Sequence, residues 1–98
     1  MLQGPKISDA GLQHLKRLSK VQDLGLNATS VTNAGLKNLK MFTELRNLSL
    51  VGCKITDPGL EDLKRFTQLL ELKLFFTQVT DAGIAKLQQA LPNCKIVH

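Results

Sequence analysis

The chain has no tryptophan and no tyrosine, only four phenylalanines, three prolines and two cysteines. Each shortage removes a class of protein. Without Trp or Tyr, base-stacking platforms for nucleic acid are scarce. Two cysteines, Cys53 and Cys94, cannot build a disulfide framework and favour a reducing, cytosolic setting. No apolar run approaches the ~18 residues that a membrane span needs. The opening Met1-Leu2-Gln3-Gly4-Pro5 lacks the basic head and long apolar stretch of a signal peptide. No pair of cysteines or histidines has a metal-ligand spacing, and the glycines are spread rather than clustered into a phosphate loop.

What remains is a chain of 98 residues, 43% hydrophobic and with a net charge of +5. That length suits one domain. Its content becomes clear in blocks of twenty-four, since Leu2, Leu26, Leu50 and Leu74 fall into one column. Ile7, Val31, Ile55 and Val79 form another, and Gly11, Gly35, Gly59 and Gly83 a third. The expected organisation is a single domain over 1–98, with a partial repeat at 1–20, full repeats at 21–44, 45–68 and 69–92, and a stub at 93–98.

Two periodicities alternate within each block. Leu45, Leu48 and Leu50 end in an apolar-polar alternation, the mark of a half-buried strand. Leu60, Leu63 and Phe66 then recur at three-residue steps, which places one apolar stripe on a short helix over 57–66. Asp9, Asn33, Asp57 and Asp81 are expected to be the helix N-caps, with Pro58 in the first helical position. A glycine in the first turn of every helix costs about 1 kcal/mol against alanine. Its recurrence implies a close approach that leaves no room for a β-carbon.

The motif L-x-x-L-x-L-x-x-[T/C]-x-[V/I]-T-[D/N]-x-G-[L/I]-x-x-L resembles the leucine-rich repeat, over nearly the whole chain. It looks most like the cysteine-containing, T-D-A-G-L type of F-box proteins and bacterial repeat proteins. The resemblance implies an α/β solenoid: a right-handed superhelix, parallel strands on the concave face and short helices on the convex one. Because parallel strands need a crossover element, the alternation of strand and helix points the same way. The first block is expected to start in mid-strand without a polar cap, and Pro92 to stop the last helix before a short final strand.

Chemistry is hard to assemble from these residues. His14 shares a column with Asn38, Asp62 and Lys86, a solvated helix face, and His98 is terminal. Cys53 shares its column with Thr29 and Thr77, where a small side chain meets local backbone, so a structural role is expected. Neither histidine has a nucleophile to serve, and no enzyme, cofactor or metal is expected. Asn27-Ala28-Thr29 and Asn47-Leu48-Ser49 fit repeat geometry better than glycosylation. Lys16, Lys40 and Lys64 stack beside Arg17 and Arg65, but Glu61 and Asp62 interrupt them, so nucleic acid or an acidic ligand is only the third reading.

The outward strand positions are the candidate partner site. Asp23, Asn47 and Glu71 form one column, and Gly25, Ser49 and Lys73 the next. A third runs through Gln3, Asn27, Val51 and Phe75, with Ala28, Gly52 and Phe76 following at the strand exit. The expected contact residues are Asp23, Asn27, Asn47, Ser49, Val51, Glu71, Lys73, Phe75 and Phe76. If Phe76 tucks under the strand-to-helix loop, Phe75 alone is exposed. The leading expectation is a protein-protein interaction module, and the alternative is a self-associating, homo-oligomeric structural module.

Overall fold

The computed structural model describes residues 20–26 and 31–98. The candidate cap Asp9, the histidine His14, the cations Lys16 and Arg17, and the site residue Asn27 lie outside the described residues. The described elements alternate: β1 Asp23–Gly25, α1 Asn33–Leu36 running into a 3-10 turn Lys37–Met41, β2 Asn47–Ser49, α2 Asp57–Leu63, β3 Glu71–Lys73, α3 Asp81–Ala90 and β4 Lys95–Val97.

The four strands form one parallel sheet in chain order. Register follows the twenty-four-residue column: Asp23 faces Asn47, Asn47 faces Glu71, and Glu71 faces Lys95. A one-residue slip would turn every leucine outward, so burial on one face fixes this register. The ladder continues past the strand ends, with Leu26, Leu50 and Leu74 amides donating to Ser49, Lys73 and Val97 carbonyls at 2.8, 2.9 and 2.8 Å.

The core is the set of repeat columns seen from inside. Leu24, Leu48 and Leu72 stack on the sheet, and Leu36, Leu60 and Ile84 meet them from the helices, all buried. Phe66 is buried as expected but lies beyond the end of α2. Every buried side-chain nitrogen or oxygen among the described residues has a hydrogen-bond partner. Among those residues no helix is long and apolar enough to cross a membrane.

The helix caps differ from expectation by one residue. Thr32, Thr56 and Thr80 hold the extended backbone of an N-cap, at φ −120°, −123° and −100°, and Asn33, Asp57 and Asp81 already belong to the helices. Pro58 is accordingly second in α2 rather than first. Two of the displaced side chains, Asn33 and Asp57, are bonded across the repeats instead. Asn33 reaches Thr56: its Oδ1 accepts from the Thr56 amide at 3.0 Å and its Nδ2 donates to the hydroxyl at 2.6 Å. Asp57 accepts from the Thr80 amide at 2.8 Å and from the Thr80 hydroxyl at 2.5 Å.

This ladder explains the repeated glycine. A β-carbon on Gly59 would lie 2.2 Å from Asn33 Oδ1, and one on Gly83 would lie 2.3 Å from Asp57 Oδ1. The close approach anticipated from the sequence is therefore made by one side chain of the preceding repeat. Glycine leaves the slot in which that side chain sits.

Candidate concave-face binding site

Strand alternation sends the leucines inward and presents three residues of each repeat on the other face. Asp23 and Asn47 are exposed and joined, Asn47 Nδ2 donating to Asp23 Oδ1 at 2.5 Å. Glu71 is half-buried beside them, and its partner on the other side is Lys95. In the next column Ser49 sits between Gly25 and Lys73. Its small side chain is only 8% exposed, lower than a contact residue was expected to be, while Lys73 is exposed. Asn47, Ser49, Glu71 and Lys73 line a shallow depression on this face.

The apolar part of the site lies at the strand exit. Val51 is half-buried, Phe75 is 39% exposed and Phe76 is 89% exposed. The tucked arrangement of Phe76 is not adopted. Its φ is 59°, in the same column where Gly52 has φ 78°. Left-handed backbone costs a residue with a β-carbon roughly 1–2 kcal/mol, which glycine avoids. The turn that suits Gly52 thus throws the Phe76 ring outward. The Gly52 amide donates to the Phe75 carbonyl at 2.9 Å, keeping the two exits side by side.

Leu70 is 52% exposed and escaped the sequence reading. The Leu69-Leu70 doublet hid it, although a signal was present: Leu69 aligns with buried Leu45, while Leu70 aligns with the exposed Gln22 and Arg46. Lys95 was also overlooked as a member of the outward column.

Elsewhere the polar groups serve the frame. Cys53 Sγ donates to the Leu26 carbonyl of the preceding repeat at 2.9 Å, whereas Thr77 Oγ1 donates to Leu74 in its own repeat at 2.7 Å. Burial pushes the Cys94 thiol pKa up, and Glu71 adds to the effect. Gln88 Nε2 donates to the Leu91 and Cys94 carbonyls, each at 2.9 Å, closing the turn after α3. On the helical face Lys64 pairs with Glu61 at 2.9 Å and Arg65 approaches Asp62 at 4.0 Å, so two of the stacked cations are matched locally. His98 Nδ1 lies 3.9 Å from Asp81. Among the described residues no three His, Cys, Asp or Glu side chains are grouped as metal ligands would be.

Comparison with known proteins agrees with this architecture. Residues 43–64 match the family model described as Leucine Rich repeat. The fold is similar to that of a leucine-rich-repeat protein from Leptospira interrogans, with a TM-score of 0.62 and 16% identity. The match covers 88% of this chain and 27% of that one, so the chain spans about a quarter of its neighbour's length. No curated protein matches the sequence. The fold is an α/β leucine-rich-repeat fold.

Proposed function

We propose that the chain is a non-enzymatic module that holds a protein partner on its concave strand face. The contact residues would be Asp23, Asn27, Asn47, Ser49, Val51, Glu71, Lys73, Phe75 and Phe76. One observation carries the reading. The exposed large hydrophobic side chains among the described residues are Leu70, Phe75 and Phe76, all on β3 or its flanks. Large apolar groups left exposed on the flanks of one strand, with Phe75 and Phe76 adjacent at its exit, have the composition of a contact surface. Buried Cys53 in the middle repeat supports assignment to the cysteine-containing subclass.

A photo-crosslinking amino acid placed at Asn47 or at Lys73 tests this in extracts of the source cells, with Ala85 and Gln89 on α3 as controls. The expected result is one shared adduct from the strand positions and none from the helix. Equal adducts from α3 would remove the concave face as the site.

Self-association is the second reading, and it draws on the same exposed apolar patch. Light scattering over a wide concentration range separates the two. A monomer throughout leaves the patch open to another protein. A dimer dispersed by Phe75→Ala would assign the patch to a second copy.

A further inference from the structure

Two lysines stand close in the chain to the aromatic pair or to the glycine bonded to it, with Glu71 as the nearest acid on β3. Lys73 lies two residues before Phe75 on the same strand face, roughly 7 Å away along an extended chain. Lys54 lies two residues beyond Gly52, and Gly52 is hydrogen-bonded to the Phe75 carbonyl. Both lysines are exposed. Among the described residues neither forms an ion pair, in contrast to the helical Lys64 and Arg65.

Phe76 adds a second, independent observation. A ring that is 89% exposed gains little from folding, yet it is held at φ 59° where the preceding repeat uses glycine. Neither burial nor local backbone preference accounts for an aromatic residue there. Strained, exposed side chains of this kind concentrate at contact sites.

We infer that Phe75 and Phe76 anchor an acidic segment of another protein, taking an apolar side chain on the rings and carboxylates at Lys54 and Lys73. This rests on the interaction-module reading and adds the chemistry of the partner. A second copy is the less suitable occupant, because the chain carries a net charge of +5 and like copies repel. Phosphate-rich partners are disfavoured too, since the rings require an apolar side chain between the charges.

The test is a titration of the whole chain, followed by amide NMR signals, with three short unstructured peptides. The first has a central Leu-Phe pair between Glu-Asp pairs, the second replaces the acids by lysine, and the third replaces Leu-Phe by Ser-Gly. The first should move the signals of Gly52, Phe75 and Phe76, and the other two should bind at least about tenfold more weakly. Phe76→Gly suits the left-handed backbone and so keeps the fold, which unchanged signals elsewhere would verify. It should weaken the acidic peptide about fivefold or more, as should Lys73→Glu, and added salt should weaken it further. Equal binding of the basic peptide overturns the inference, as does concentration-dependent movement of the same signals without peptide, which would identify a second copy. Movement confined to Asn47, Ser49 and Glu71 also overturns it, while leaving the broader concave-face reading intact.

Discussion

The junction between α1 and α2 and the junction between α2 and α3 use the same columns but a different atom. In the first, Asn33 offers an amide, and Nδ2 donates to the Thr56 hydroxyl. That hydroxyl makes no cap bond to α2, and the Gly59 amide turns to the Thr56 carbonyl at 3.0 Å. In the second, Asp57 can only accept, so the Thr80 hydroxyl donates to it and keeps a lone pair for the Gly83 amide at 3.1 Å. The Thr80 carbonyl is then available to the Ile84 amide at 3.0 Å, a full α-helical bond. One oxygen in place of one nitrogen reverses the direction of the hydrogen bond, and the two helices that follow start differently. The helix that follows the carboxylate junction is Asp81–Ala90, and the one that follows the carboxamide is the shorter Asp57–Leu63.

The strongest way to break the comparison is to fill a glycine slot. Gly59→Ala puts a methyl group onto Asn33 Oδ1 and within 3.1 Å of Leu36 Cδ1. Despite the helix preference of alanine, it should lower stability by about 1–3 kcal/mol, as overpacking does. Denaturant unfolding checks this, and the coupling is specific. Combined with Asn33→Ser, which shortens the clashing side chain, Gly59→Ala should cost less than the two changes summed. Strict additivity would mean that the ladder is not what the glycine accommodates.

Next in size are the two threonines. Thr80→Val removes a working cap and should cost about 1 kcal/mol. Thr56→Val removes only the acceptor for Asn33 Nδ2 and should cost about half as much. Paired thermal melts compare them directly, and equal losses would contradict the difference between the junctions.

Much of this frame is legible in the sequence, because columns that repeat every twenty-four residues dictate register, core and helix placement together. Leu48 and Leu72 pair as the blocks align them. The cap residue is not legible in the same way. Threonine, aspartate and asparagine all cap well, and in T-[D/N]-x-G only the backbone conformation decides which of the two does so. The ladder from Asn33 and Asp57 connects residues twenty-three apart, and it exists only once the repeats stack. At the candidate site, alternation correctly turns Asp23, Asn47 and Lys73 outward. It does not reach Phe76, where the strand has ended and a left-handed turn sets the direction of the ring. Gly52 in the same column was the available sign of that turn.

Asn33→Asp sharpens the comparison by converting the first junction into the second. A carboxylate at position 33 would accept a hydrogen bond from the Thr56 hydroxyl, turning that oxygen's lone pairs toward the Gly59 amide. The expected gain is a few tenths of a kcal/mol at neutral pH, since repulsion from the stacked Asp57 offsets part of the cap. Slower amide exchange at Gly59 should accompany it. A variant that is stabilised without that protection would owe its gain to the helix dipole alone.

The smallest expected effect is in acid. The hydroxyl and the amide of Thr80 hold the Asp57 carboxyl below its ordinary pKa, burial opposes them, and Lys86 assists. A carboxyl whose folded pKa is depressed stabilises the fold fully above its unfolded value and loses that contribution as pH falls through the folded one. The carboxylate junction should therefore weaken as pH drops below about 4, whereas the Asn33 junction has no proton to gain. Melting temperature measured from pH 6 to pH 2 should fall less steeply for Asp57→Asn than for the parent chain. The difference should stay small, because other carboxylates titrate in the same window and this one is solvent-accessible. Hydrogen exchange localises it, since acid should expose the Gly83 amide before the Gly59 amide. Were Gly59 to open first, the carboxylate would not be what distinguishes the two helix starts.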